Sequence, residues 1–179
     1  MRFEILLGGS IPLSLPVCPL PAGQKAIIAF DSMGDMPLVQ LCAQLLFEKL
    51  PRFEAIICPE AKAVPIAQEL CRMAGVSYFC LRKAKKLYMQ EPKAIELRSI
   101  TTEAVQHLWF DAKVMETLQS KKVLLFDDVV STGATFGVLE KVAAEFSLNL
   151  AGKACVFLEG EAEKRSDIVN LGYLPLLDL

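Results

Sequence analysis

Short apolar runs alternate with segments of helical spacing along most of this chain. Lys25–Phe30 (KAIIAF) reads as a strand, closed by the turn-prone residues Asp31–Asp35. Asp35 is placed to N-cap a helix with Met36 and Pro37 in its first turn, where proline is tolerated. That helix is predicted to run to about Leu50, with Leu38, Leu41, Cys42, Leu45 and Leu46 on one face. Glu54–Cys58 (EAIIC) has the unbroken apolar character of a buried parallel strand. After Pro59-Glu60-Ala61-Lys62, helical spacing covers about Val64–Ala74 and stops at Gly75. Val76–Leu81 is the next strand. A basic segment, Arg82–Lys93, precedes two alternating stretches, Ala94–Ile100 and Val105–Phe110, that predict a hairpin. Lys122–Phe126 reads as a strand, Thr132 to about Phe146 as a helix, and Gly152–Leu158 as a further strand. The residues up to Gly23 are proline-rich and irregular, closer to a cap or short hairpin than to a core element. Strands alternating with helices predict an α/β fold with a parallel sheet. With no internal repeat and no low-complexity linker, one domain is expected.

Composition narrows what such a domain can be. The chain has 179 residues, 53% of them apolar, with a formal net charge of −2. That length supports a full core, and the apolar content excludes disorder. The balanced charge argues against general nucleic-acid binding through phosphate neutralisation. The longest apolar stretches, such as Leu41–Phe47, fall short of the roughly 20 residues a membrane span needs. Pro12, Pro16, Pro19 and Pro21 interrupt the apolar N-terminus, which therefore reads as mature sequence rather than a signal peptide. Neither a membrane nor a nucleic acid is expected as a partner. Six cysteines sit mostly inside apolar runs, with no C-x-x-C pair and one histidine in the chain. They read as small buried hydrophobes in a reducing compartment, the cytoplasm, and not as a zinc set.

The chemistry concentrates in Val123–Thr135, VLLFDDVVSTGAT. A buried strand runs into two adjacent carboxylates, then a loop of small residues, then a helix. Backbone N–H groups and hydroxyls at the helix start, from Ser131 through Thr132, Gly133, Ala134 and Thr135, suit an anion, favoured there by the helix dipole. Asp127 and Asp128 would repel a phosphate, but they accept well from vicinal ribose hydroxyls. An Asp-Asp turn can also simply cap a helix; the full string reads better as a sugar-phosphate site. It has no G-K-[ST] element and no G-x-G-x-x-G turn. Arg82, Lys83, Lys85 and Lys86 put four cations into five residues directly after a strand. They suit either a solvated surface or a pyrophosphate. Lys62, in the turn between strand and helix, faces the sheet edge where ligands gather. His107 alternates with apolar residues and reads as structural or surface, and Trp109 as core or interface. Phe30 and Met33 follow a strand at a candidate base pocket.

These motifs together resemble the type I phosphoribosyltransferases, most closely the adenine phosphoribosyltransferases. The resemblance spans roughly Lys25–Cys155. It implies a mainly parallel sheet flanked by helices, a core of about 25–158, a small hood from 1–24 and 159–179, and a hairpin lid over about 85–106. It implies that 5-phosphoribosyl-1-pyrophosphate (PRPP) is held by Asp127 and Asp128 through the ribose hydroxyls. Val129, Val130 and Ser131–Thr135 would hold the 5-phosphate. Glu60, Ala61, Lys62, Arg82, Lys83 and Lys86 would hold the pyrophosphate, and Ile28, Phe30 and Met33 the base. Asp127, Asp128, Lys83 and Lys86 are then the catalytic candidates. The implied reaction is a pentosyl transfer in purine salvage, from PRPP to a purine base, giving a nucleoside monophosphate and pyrophosphate. Mg²⁺ would be held mainly through PRPP oxygens and water, and a homodimer is implied. Several positions depart from the adenine pattern. Phe30 replaces an arginine, Lys62 is the base of the pyrophosphate loop, Ala63 and Lys85 replace glycines, and the usual mobile-loop sequence is missing. Ser131 stands where enzymes for hypoxanthine and guanine carry an aspartate, which points to adenine. A PRPP-sensing protein without catalysis, or transfer to another base, are the alternatives.

Overall fold

The computed structural model describes residues 1–21, 23–97 and 106–179. The chain opens with β1 (Arg2–Leu7), β2 (Ile11–Pro19) and β3 (Lys25–Ile28). It continues through α1 (Met36–Phe47), β4 (Ala55–Pro59), α2 (Val64–Ala74) and β5 (Ser77–Leu81). A hairpin of β6 (Pro92–Leu97) and β7 (Gln106–Asp111) and a short α3 (Ala112–Glu116) follow. The remainder is β8 (Lys122–Val130), α4 (Ala134–Glu145), β9 (Asn149–Glu159), β10 (Gly172–Leu174) and β11 (Leu177–Asp178).

The main sheet has the order β10-β9-β8-β4-β5, and every pairing in it is parallel. Its strands are buried on both faces, as their unbroken apolar runs require. Ile56, Cys58, Leu124 and Phe126 pack with α1 and α2 on one side. Ala55, Ile57, Val123 and Leu125 pack with α3, α4 and the hairpin on the other. From β4 the chain crosses to β5 on one side, and from β8 to β9 on the other. The C-terminal ends of β4 and β8 therefore flank a point where connections diverge, the place where open α/β sheets form a crevice. Asp35 caps α1 as expected, its carboxylate accepting the Leu38 N–H at 3.0 Å.

The N-terminal residues are more regular than their prolines suggested. β1 and β2 form an antiparallel hairpin inside a second, four-stranded sheet of order β1-β2-β3-β11. β2 pairs with β1 through Ile11–Pro16 and with β3 only through Val17–Pro19. Each half of β2 is thus paired on one side, so a proline's missing N–H can fall on the unpaired side. Pro12, Pro16 and Pro19 are all exposed. This sheet takes β3 from the expected core, while β10 from the expected hood joins β9 in the main sheet. The hairpin is present as β6 and β7, paired from Pro92↔Asp111 to Leu97↔Gln106. Residues 98–105 of the expected lid lie outside the described residues. All six cysteines are free thiols, with Cys58 directly opposite Cys80 in the β4–β5 register.

Candidate active site

β8 runs four residues further than the sequence pattern predicted, because β9 continues to pair with it as far as Val130↔Leu158. This extension carries Asp127 and Asp128 on a rigid strand end instead of a loop. Asp127 is only 6% exposed, and one of its oxygens accepts the Asp128 backbone N–H at 2.9 Å. Burial, and then the adjacent Asp128 charge, push the Asp127 carboxyl well above the usual carboxylate range. Asp128 is also raised, chiefly by burial, although the charge of Lys62 acts in the opposite direction. Two strained carboxylates side by side form an acceptor pair that a diol's O–H donors would relieve.

Beyond β8, Gly133 adopts the left-handed region at φ 75° and leads directly into α4. Thr132 Oγ1 accepts the Ala134 N–H at 3.4 Å. Asp127 and residues 129–136 enclose a small cavity of about 100 Å³, on the scale of one phosphate group. The first N–H groups of α4 have no intrahelical acceptors and point toward this end. An alanine at Gly133 would hold an unfavourable left-handed conformation at a cost of about 1–2 kcal/mol. Gly133→Ala should therefore lower stability by about that amount. It should also weaken binding of ribose 5-phosphate about tenfold, measured by calorimetry.

A larger cleft of about 660 Å³ opens beside it. Its floor is Asp127–Val129, one wall is the β4 loop from Pro59 to Ala63, and the rest is Lys83, Thr135 and His107 to Trp109 of β7. The Glu60–Ala61 peptide is cis. Glu60 accepts the Lys83 backbone N–H at 2.9 Å and the Arg82 guanidinium at 3.3 Å. The Lys83 N–H above all, with Arg82, lowers the Glu60 carboxyl below its ordinary value. Glu60 thus fastens the β4 loop to the basic segment. Lys62 Nζ donates to the Phe30 carbonyl at 3.1 Å, linking the same loop to the chain that leaves β3.

The structure brings most of the sequence-predicted residues to one sheet edge, with several qualifications. Ala61, Lys62, Lys83, Asp127, Asp128, Val129 and Thr135 line the cleft. Val130, Ser131, Thr132, Gly133 and Ala134 line the smaller cavity. Arg82 engages Glu60, and the charge of Lys86 reaches Glu60, but neither residue lines the cleft. Ile28 and Phe30 are buried in the core, Phe30 edge-on to Phe157 at 5.2 Å, and Met33 is 54% exposed. None of the three lines the cleft. His107 and Trp109, read from sequence as structural, surface or interface residues, do line it. The sequence showed the alternation, with Leu108 and Phe110 buried, but Leu108 lines the cleft as well, so alternation alone could not have found the site.

Residues 35–173 match the phosphoribosyl transferase domain family. The chain belongs to this family. Among curated proteins it is similar to a hypoxanthine/guanine phosphoribosyltransferase of Methanothermus fervidus, 28% identical over 120 residues, or 65% of this chain. The chain spans 58% of that relative's length. Among solved structures it resembles the adenine phosphoribosyltransferase of Thermoanaerobacter pseudethanolicus, at a TM-score of 0.70 and 18% identity. That superposition covers 89% of this chain and 95% of the other. The Saccharomyces cerevisiae adenine phosphoribosyltransferase, solved with an imino-altritol bisphosphate and adenine, gives a TM-score of 0.70 at 16% identity, covering 88% and 93%. At such identities the solved structures establish the phosphoribosyltransferase fold.

Proposed function

We propose that this protein transfers the phosphoribosyl group of PRPP to a purine base, releasing pyrophosphate and forming a nucleoside monophosphate. The observation that carries this reading is that Asp127 lines both a phosphate-sized cavity and a larger cleft bordered by Lys62 and Lys83, with Asp128 beside it in the cleft. A 5-phosphate, a vicinal diol and a second anionic group need three such sites in that order. In the reaction the bond from C1 to the pyrophosphate oxygen breaks, and a base nitrogen forms the new bond to C1. The electron pair of the broken bond leaves with pyrophosphate, and the nitrogen's proton passes to solvent. Asp127 and Asp128 hold the ribose hydroxyls, while the loop at residues 131–135 fixes the phosphate. With both ends held, C1 is presented to the base in one orientation. Lys62 and Lys83 favour the negative charge that accumulates on the departing group.

Among the described residues no three His, Cys, Asp or Glu side chains converge as a metal set. Mg²⁺ is commonly held by one or two carboxylates together with substrate phosphates. Asp127 and Asp128 are the residues placed to share it. When bound, Mg²⁺ would offset negative charge on the pyrophosphate. We further assign the four-stranded sheet as the hood and the β6–β7 hairpin as the base of a lid, within a single domain, and a homodimer as the assembly. No helix among the described residues is long and apolar enough to cross a membrane. A cytoplasmic setting accords with six free thiols.

Adenine is the base we assign, since Ser131 lines the phosphate cavity where a 6-oxopurine enzyme would use a carboxylate for proton exchange. The similarity to a hypoxanthine/guanine phosphoribosyltransferase favours a second reading, a 6-oxopurine. The deciding experiment is PRPP-dependent pyrophosphate release with Mg²⁺ across adenine, hypoxanthine, guanine, xanthine, uracil and orotate. Release with adenine alone is expected. Release with hypoxanthine or guanine would keep the reaction and change the base. Silence with every base, while PRPP still binds, would make the protein a PRPP-binding regulator instead.

A further inference from the structure

Resting on the phosphoribosyltransferase reading, we propose that His107 is a ligand of the departing pyrophosphate, completing with Lys62 and Lys83 a site that the basic segment does not form alone. Four cations follow β5, yet of these only Lys83 lines the cleft. The Arg82 guanidinium is directed to Glu60 Oε1 at 3.3 Å. The wall next to Lys83 belongs to β7, which is anchored there by its backbone. The Arg82 N–H donates to the Trp109 carbonyl at 2.7 Å, and the Trp109 N–H donates to the Arg82 carbonyl at 2.6 Å. These two bonds fix the height and register of β7 against the end of β5. Leu108 and Phe110, 3% and 2% exposed, set which face of β7 is buried. His107, Leu108 and Trp109 line the same cleft as Lys62, Lys83 and the ribose-binding carboxylates, and of the three His107 is the exposed residue.

The chemistry suits the place. An imidazole carries an N–H donor whether neutral or protonated, so it can serve an anionic oxygen in either form. A donor beside the bond that breaks favours the product-like charge over the ground state. His107 is exposed, so its replacement leaves the core intact.

The test uses inorganic pyrophosphate with Mg²⁺ as the probe, and adenosine monophosphate, which lacks the leaving group, as the control. Calorimetry is run on the wild type, His107→Ala and His107→Gln, with thermal melts to confirm folding. A hydrogen bond to a charged group contributes about 1.5–3 kcal/mol, so His107→Ala should weaken pyrophosphate by about 10- to 100-fold. His107→Gln, which retains an N–H donor, should recover part of that loss. Adenosine monophosphate affinity should stay within about twofold, a change near the noise of roughly 0.4 kcal/mol. In steady state, kcat for the forward reaction should fall more than PRPP affinity. Pyrophosphate affinity unchanged in His107→Ala, or an equal loss for pyrophosphate and nucleotide, would overturn the assignment while leaving the phosphoribosyltransferase reading intact. A wild-type protein that binds neither PRPP nor pyrophosphate would overturn both.

Discussion

Asp127→Asn should weaken PRPP binding about 100-fold and at the same time raise the melting temperature. The carboxylate is 6% exposed beside a second carboxylate, and both burial and that neighbour lift its pKa. The sign of the linkage follows from a raised acid. Below the ordinary value of 3.8 both folded and unfolded chains hold the proton, and the group has no effect. As pH rises above that, the unfolded chain releases its proton first and stability falls. The loss is complete once pH exceeds the raised folded value. Asparagine keeps an acceptor and carries no charge, so the variant lacks this dependence. A gain of about 2–4 °C is expected, the shift that 1 kcal/mol produces in a chain of this size. The gap should vanish in melts below about pH 3.8. For PRPP, replacing one of two charged acceptors on the ribose should cost about 100-fold in affinity by calorimetry. A variant that is neither more stable nor impaired in binding would remove Asp127 from the ribose site.

Lys83→Ala should lower turnover far more than it lowers affinity. Lys83 is exposed at the cleft wall, and its backbone N–H is held by Glu60 at 2.9 Å. The substitution keeps that N–H and removes only the ammonium group. In the ground state, an exposed charge pair contributes about 0.2–1 kcal/mol, a factor of about 1.5–5 in PRPP affinity. Charge develops on the pyrophosphate only as the C1–O bond breaks, and removing a preorganised group there typically costs about 10²–10³ in kcat. Rapid-quench turnover alongside PRPP titration separates the two effects. Equal losses in both would assign Lys83 to plain substrate binding. Arginine at this position should restore part of the rate, since it returns the charge with a different reach.

The half of the site proposed to hold ribose and phosphate was legible from one contiguous string. Strand, paired carboxylates, small-residue loop and helix start are neighbours in the chain, so their spacing already sets their geometry. The half proposed to hold pyrophosphate was legible only as a list of cations. Which of them reach the cleft depends on Glu60, whose oxygens take the Lys83 N–H and the Arg82 guanidinium across more than twenty residues of sequence. Alternation in Gln106–Phe110 was visible, but not which face would meet a ligand. Two backbone bonds between Arg82 and Trp109 hold β7 at the cleft against the end of β5. For Phe30, a position after a strand suggested a base pocket; in the structure its ring is buried edge-on to Phe157, and Ile28, inside β3, lies in the same core.

By itself, the sequence determined the parallel strands, the α1 and α2 helices, the cap at Asp35 and the small-residue turn at 131–135 that leads into α4. Each of these rests on propensity, periodicity or backbone conformation over a few neighbouring residues. The tertiary structure alone decided that β3 joins the N-terminal hairpin and that β8 extends through both aspartates. It also decided that Glu60 fastens one loop to another and that His107 stands in the cleft. The physical reason is common to all four. Strand pairing and buried contacts between distant residues select one register and one face among several that local sequence leaves equally open.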